Sequence, residues 1–368
     1  MRRLRVLLLS TDLERGGLPL RLVRLARLLP SVNVEPVVGC LTRRGPLSDV
    51  LEAGGIETFS CDAAGRFDPR CLAAFAGHVR RIQPDLIHAS LFHANLAARL
   101  VGRADRPRPV LTSTVTIEIE RRWHRVVESM TASLSDLHVA NSDAVMRHLR
   151  DELCFPADRL MVVPNAVDFD AIESAPRRSR GEIGVTESER LVVWAGRLDP
   201  VKNLDAFVDV LDQVSQFRHV RGLVLGDGPD RSRIESLAAR RGLSGLLRFA
   251  GWSQDVIGWL KAADVLLFPS WTEGSPNVVL EALAAGCPVV TSDAAACVEL
   301  LSRAGAGVAC HPSDITGMIR AVDAVLADPE GARRRAAQGA SRLRETHRPE
   351  VVAGRWRGVY DRLVGDRG

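Results

Sequence analysis

The sequence predicts an α/β protein built from two Rossmann-like, doubly wound domains that face a central cleft, and three observations lead there. At 368 residues the chain is too long for one comfortable core and about right for two domains of ordinary size. Short apolar runs alternate with helical patterns from end to end, and such repetition makes parallel sheets covered on both faces. The alternation is interrupted once, at 168–190, "DFDAIESAPRRSRGEIGVTESER", where charge, Pro and Gly suit a linker and an irregular helix. The expected division is 1–168, 169–346 and a closing segment 347–368. That segment contains "PEVVAGRWRGVYDRLVG", read as a helix packing back toward the first domain through Trp356 and Tyr360.

The elements follow in order. Val6–Leu9 is a first buried strand, and "LPLRLVRLARLL" places Leu18, Leu22, Leu25 and Leu29 at helical spacing. "VEPVVGCL" is a strand and "LSDVLEAGG" a helix ended by glycine. "DLIHAS" and "PVLTSTV" are strands flanking the helical "HANLAARLVGRA", and "LHVANS" is another, after which Ser142 or Asp143 can cap "AVMRHLRDEL". "LMVVPNAVD" closes the first half, and "LVVWAGR", "RGLVLGDGP", "LLRFAG", "DVLLFPS" and "PVVTSD" are the strands of the second. Ligands of such sheets bind at the carboxyl ends of the strands.

Composition narrows the classes. The chain is 46% hydrophobic and 26% charged with a net charge of +4, so it is globular. No basic run or basic–aromatic interleaving points to nucleic acid. Seven scattered cysteines without a metal-ligand spacing suggest reduced thiols in the cytosol. The start "MRRLRVLLLS" has too short an apolar run for a signal peptide, and no window has the apolar length of a transmembrane helix. Any membrane contact is expected to be peripheral.

The chemistry-bearing residues cluster in the second half. "WAGRLDPVKNL" puts Arg197 and Lys202 on a loop at a strand's carboxyl edge, where Arg clamps a phosphate bidentately and Lys acts as a point charge. Lys202 and Lys261 are the only lysines among 49 basic residues, which sharpens the case for Lys202. In "LGDGPD", Gly226 and Gly228 leave a strand in a turn that a ligand can approach, although glycine there is more often a plain turn. In "EGSPNVVLEALAAGCPVV", Ser275 is a candidate N-cap, Pro276 suits the first helical position, and the helix runs to Gly286. Its first amides form an anion site. Glu281 can reach a ribose diol, and Glu273 can accept from hydroxyls of a group beyond the phosphates. The plainer alternative makes Glu273 a capping acid and Glu281 an exposed helix acid.

With these motifs in this order, the sequence resembles the retaining glycosyltransferases of family four, of GT-B fold. The E-x7-E element stands as Glu273 and Glu281, and GR-x4-K as Gly196, Arg197 and Lys202. "VVPNAVD", "GDGP", "FAGW", "RGG" and "PDLIHA" are similar to further family segments. The resemblance implies a nucleotide-diphosphate sugar donor, with UDP favoured on family frequency. It implies that Arg197 and Lys202 neutralise the leaving diphosphate, Glu281 binds the ribose and Glu273 the donor sugar. Backbone amides of the segment Gly274, Ser275, Pro276 and Asn277 are expected to assist. Gly16 and Gly17 would let the first domain's backbone approach, and Gly226 and Trp252 fall where the nucleotide is held.

Retention without a protein nucleophile suggests front-face attack, so no metal or cofactor is expected, and Asp168 and Asp170 in "DFD" are discounted as a metal site. Where relatives carry an acceptor-side histidine this chain has Val115. His88, His93 and Glu118 are the candidates to replace it, with His93 preferred. Ala166 stands where relatives often have glycine. The acceptor is expected to be a glycan or lipid-linked sugar. Arg21, Arg24 and Arg27, or Arg121, Arg122, Trp123 and Arg125, could dock the first domain on anionic lipid at the inner membrane face; a solvated helix face explains them equally. A nucleotide-sugar epimerase and a non-catalytic nucleotide-sugar-binding protein stay open as alternatives. A dinucleotide oxidoreductase does not, because "STDLERGGLPL" lacks the GxGxxG turn.

Overall fold

A computed structural model of the chain describes residues 2–14, 17–63, 68, 70–103, 108–114 and 122–365. It divides into two compact units, Met1–Ala166 with Pro349–Gly368, and Val167–Arg348. Unit 1 contains β1 (Leu4–Ser10), α1 (Gly17–Leu28), β2 (Val34–Cys40), α2 (Pro46–Glu52), β3 (Glu57–Ser60), α3 (Arg70–Ile82), β4 (Leu86–Ser90), α4 (Phe92–Gly102), β5 (Val110–Thr114), α5 (Arg122–Thr131), β6 (Leu137–Ala140), α6 (Asp143–Asp151) and β7 (Leu160–Val162). Among the described residues its strands form one sheet in the order β3-β2-β1-β4-β5-β6-β7, every adjacent pair parallel. Leu7, Leu8 and Leu9 are all fully buried, as a strand covered on both faces requires. Ser142 caps α6, its Oγ accepting from the Val145 amide at 3.1 Å. Neither β3 nor α3 is evident in the sequence, because "ETFS" has no apolar run.

The closing helix, Pro349–Gly365, belongs to unit 1. Trp356 and Tyr360 are buried with Leu4, Leu8 and Leu86. Arg357, itself buried, donates to the backbone oxygens of Arg2, Val32 and Asn33 at 2.9–3.2 Å. His88 ties the helix to the sheet: Nδ1 lies 2.9 Å from Tyr360 Oη and Nε2 3.1 Å from Ser113 Oγ. His88 therefore lies inside β4 as a packed hub, not at a strand end available to an acceptor.

Unit 2 contains α7 (Phe169–Ser174), β8 (Arg190–Ala195), α8 (Leu204–Ser215), β9 (Val220–Leu225), α9 (Arg231–Arg240), β10 (Leu247–Gly251), α10 (Val256–Ala262), β11 (Val265–Phe268), α11 (Asn277–Ala284), β12 (Val289–Ser292), α12 (Ala295–Ala304), β13 (Val308–Cys310), α13 (Ile315–Ala327) and α14 (Pro329–His347). The sheet order is β10-β9-β8-β11-β12-β13, again parallel throughout. The segment 168–190, expected as a linker, is instead part of this unit's core through Phe169, Ile172 and Val185. The acids of "DFD" have structural partners: Asp168 caps α7 by accepting from the Ala171 amide at 2.9 Å, and Asp170 pairs with Arg344 at 3.5 Å.

Two buried histidines make unit 1 acid-sensitive. Burial, and then the positive charge of Arg21, pushes His88 down to about 3. Burial and then Arg99 push His138 down to about 3 as well. Both folded values lie below the unfolded value of about 6.5, so protonation favours the unfolded chain. Their contribution is intact above that pH and declines as pH falls toward about 3. The expected decline is about 1.4 kcal/mol per pH unit for each histidine. Urea unfolding at about pH 7.5 and about pH 5.5 should differ by roughly 3 kcal/mol, and His138→Gln should remove about half of that difference.

Candidate functional site

A doubly wound sheet reverses its strand order once, and the loops leaving the two strands at that point part to leave a crevice at their carboxyl ends. In unit 2 the reversal lies between β8 and β11. The loop after β8 carries Arg197 and Lys202, and the loop after β11 carries Glu273. These loops are fastened to each other. The Trp271 amide donates to Val201 O at 2.9 Å, and Ser270 Oγ donates to the same oxygen at 3.1 Å. Asn203 Nδ2 donates to Pro269 O at 3.1 Å and Pro312 O at 3.0 Å. Asn203 holds a left-handed φ of 53°, which Asn tolerates better than most residues. No motif singled it out in the sequence; an Asn between a loop and a helix has many plainer uses.

The result is a buried ion pair. Lys202 Nζ lies 2.9 Å from Glu273 Oε1, with side chains 17% and 9% exposed. The sequence separates the two by 71 residues, so their pairing was not legible there. Arg197 pairs instead with Asp199 at 2.6 Å and its side chain is 64% exposed. An exposed pair of this kind is worth about 0–1 kcal/mol, so an incoming anion can open it. Breaking a buried pair by removing one partner costs about 3–5 kcal/mol, so Lys202 is held in place by Glu273.

The β11 loop leads into α11. Its helical residues start at Asn277 with Pro276 as the cap residue and no side-chain cap bond. The expected Ser275 cap is thus displaced by one residue. Pro276 lies where a missing N–H is harmless. Glu273, Gly274 and Pro276 are buried, while Ser275, Asn277 and Glu281 are half-buried. Glu281 sits in the second turn of α11, and the helix ends with Gly286 at φ +67°.

Gly226 has a packing reason for being glycine. A Cβ there would overlap the Gly196 carbonyl oxygen, and its φ is +136°. The loops after β8 and β9 interlock through Gly196 N to Leu225 O at 2.9 Å and Leu198 N to Asp227 O at 3.0 Å. Gly226 thereby supports the Arg197 loop from behind. Trp252 follows β10 and is 55% exposed.

In unit 1, Gly17 begins α1, whereas Gly16, Val115, Glu118 and Arg121 lie outside the described residues. His93 occupies the first turn of α4, directly after β4, half-buried. Its ring meets Phe92 edge-on at 5.1 Å and His124 at 5.6 Å, within an aromatic group that Trp123 completes. The three arginines of α1 do not share one solvated face: Arg24 and Arg27 are exposed, but Arg21 is half-buried. No described helix is long and apolar enough to cross a membrane.

Comparison with known proteins identifies the family and the fold. Residues 189–328 match the family described as Glycosyl transferases group 1, and residues 15–171 match Glycosyltransferase Family 4. A glycogen synthase of Mycobacterium tuberculosis is 30% identical over 309 residues, 79% of this chain and 72% of that protein. A D-inositol 3-phosphate glycosyltransferase of Geodermatophilus obscurus is 30% identical over 268 residues, 68% of this chain and 57% of that protein. The chain spans about half the length of several curated relatives it matches. The crystal structure of Anabaena HepE in complex with UDP superposes with a TM-score of 0.83 at 20% identity, covering 96% of this chain and 99% of that one. That likeness establishes the two-domain, Rossmann-like GT-B fold. With both halves matched in order, the chain belongs to glycosyltransferase family 4, the group 1 glycosyl transferases.

Proposed function

We propose that the chain is a retaining glycosyltransferase that moves a sugar from a UDP-sugar to a hydroxyl acceptor, in surface polysaccharide or glycolipid assembly, without a metal ion. The observation that carries this reading is the buried Lys202–Glu273 pair at the reversal point of the unit 2 sheet, within the family's sequence pattern. The UDP complex of HepE supports UDP as the nucleotide.

In this reading Lys202 and Arg197 receive the charge that grows on the diphosphate as the glycosidic C–O bond breaks. The α11 N-terminus adds its amides. Glu281 accepts from the ribose hydroxyls, and Glu273 holds Lys202 while accepting from a hydroxyl of the donor sugar. The acceptor oxygen attacks from the face the diphosphate leaves, and its proton passes to the departing phosphate oxygen, so no protein base is required. His93 lines the acceptor side in unit 1. The enzyme works in the cytoplasm, against the inner membrane face where its acceptor is lipid-linked.

Thermal unfolding against UDP, GDP, ADP and TDP, without added metal, tests the site, since a ligand that binds only the native state raises its melting temperature. UDP should give the largest shift, Lys202→Ala should lose it, and transfer by that variant should fall ~10²–10³-fold. A Lys202→Ala variant that responds like the parent would remove the diphosphate assignment. UDP binding with no transfer to any supplied glycan or lipid-linked sugar would favour the epimerase or binding-protein reading.

Asn203→Ala supplies a second check on the frame. Loss of two hydrogen bonds to Pro269 O and Pro312 O, in a left-handed backbone, should cost roughly 2–3 kcal/mol in urea unfolding. It should also weaken UDP binding. Unchanged stability would show that the two loops are held together by other means.

A further inference from the structure

We propose that Ser90 binds the acceptor: its hydroxyl, oriented through Ser113 by His88 and Tyr360, donates to a neutral sugar hydroxyl at the carboxyl edge of the unit 1 sheet. The word acceptor rests on the transferase reading above; the direction of the hydrogen-bonded chain does not.

The chain has one direction. Tyr360 is fully buried, and among the described residues its Oη has one hydrogen-bond partner, His88 Nδ1 at 2.9 Å. A buried hydroxyl gives its proton to the acceptor it has, so Tyr360 donates and Nδ1 accepts. Burial keeps His88 neutral, and a neutral imidazole that accepts at one nitrogen carries its proton on the other. Nε2–H therefore donates to Ser113 Oγ at 3.1 Å. Ser113 has one proton and two acceptors in reach, Ser90 Oγ at 2.6 Å and Ala89 O at 3.3 Å. Only the first lies at an ordinary O–H···O distance. The chain thus ends on Ser90, with that residue's own proton still to give.

The strand end is built to present that proton. Ser90 is the last residue of β4 and half-buried. It stands next to β1 where the strand order reverses, and a doubly wound sheet leaves its crevice there. A single residue, Leu91, joins β4 to α4, at φ 78° and ψ 152°. Almost only glycine populates that region; a larger side chain stays there where the surrounding structure enforces it, characteristically at ligand sites. The Asn95 amide, bonded to Leu91 O at 2.8 Å, is part of that restraint. The chemistry of the oxygen narrows the ligand. Ser113 occupies one lone pair of Ser90 Oγ, so a proton and a second lone pair remain. A sugar hydroxyl both accepts and donates, and can meet both. A phosphoryl group only accepts, and no link of the chain carries a charge to hold it. His88, Ser113 and Tyr360 act through Ser90 and are positioning residues.

The test has two parts, both on the full chain. Nitrogen-15 NMR of histidine-labelled protein should show His88 neutral and protonated on Nε2, its signal identified by His88→Gln or, if that variant does not fold, by the change in Tyr360→Phe. A proton on Nδ1 overturns the proposal, because the chain then runs away from Ser90. The second part is thermal unfolding during titration with methyl α-D-glucopyranoside, with and without UDP. Ser90→Ala should need about 3- to 10-fold more sugar than the parent for the same rise in melting temperature, the loss of one neutral hydrogen bond. Ser90→Thr, which keeps the hydroxyl, should recover the response, and Tyr360→Phe should reduce it. UDP alone should shift the parent and Ser90→Ala equally. A Ser90→Ala variant that responds to the sugar as the parent does overturns the proposal. So does one that loses its UDP shift, since Ser90 then serves the nucleotide. A parent without any UDP shift counts against the unit 2 site alone, because the sugar comparison is also made without UDP.

Discussion

A parallel sheet wound in both directions must change direction somewhere, and that one constraint places the chemistry. On either side of the reversal each crossover helix covers its own strand's edge. At the reversal the two following segments part, and the strand ends are left accessible. In unit 2 this occurs between β8 and β11, so two loops with no closeness in sequence become neighbours. Their backbone and Asn203 bonds are what allow Lys202 and Glu273 to meet at 2.9 Å. Unit 1 repeats the geometry between β1 and β4, where Leu9 is level with Ala89.

On the proposed reading, the two cations of unit 2 are prepared differently for an anion. Arg197 is exposed and its bond to Asp199 is easily exchanged, which suits a group that closes on a ligand after arrival. Lys202 is fixed and mostly out of water, so its charge need not reorganise when negative charge develops beside it. Glu273 makes that tolerable: a desolvated ammonium without an acid would tend to lose its proton. An ammonium has three donors and Glu273 engages it through one oxygen. The acid therefore holds the lysine without cancelling its directionality.

Legibility in the sequence followed apolar density. Strands such as "VLLL" and "LVVWA" are buried on both faces and declare themselves, as does the helix face of α1. β3 and β13 do not, because edge strands are short and partly exposed, and Val308 is 42% exposed. Segment 168–190 reads as a linker because its charges outnumber its few apolar residues, yet Phe169, Ile172 and Val185 suffice to anchor it. At the site, loop position was legible for Arg197, Lys202 and Glu273, while partnership was not. Gly226 shows the limit most clearly. The same glycine serves a ligand approach or a backbone–backbone contact, and only the position of the Gly196 carbonyl decides that packing requires it.

The closing helix is tied to unit 1 across a long stretch of chain. The bond from Arg357 to Val32 O closes 325 residues of chain, with the whole of unit 2 between. Because closure cost grows only with the logarithm of loop length, and a folded unit shortens the effective loop, such a connection is tolerable. Its consequence is local. Tyr360 forms one end of the hydrogen-bonded chain that leads through His88 and Ser113 to Ser90. Without the closing helix His88 lacks its Nδ1 partner. The buried hydrogen-bonded chain of unit 1 therefore depends on the helix Pro349–Gly365 as well as on β4 and β5.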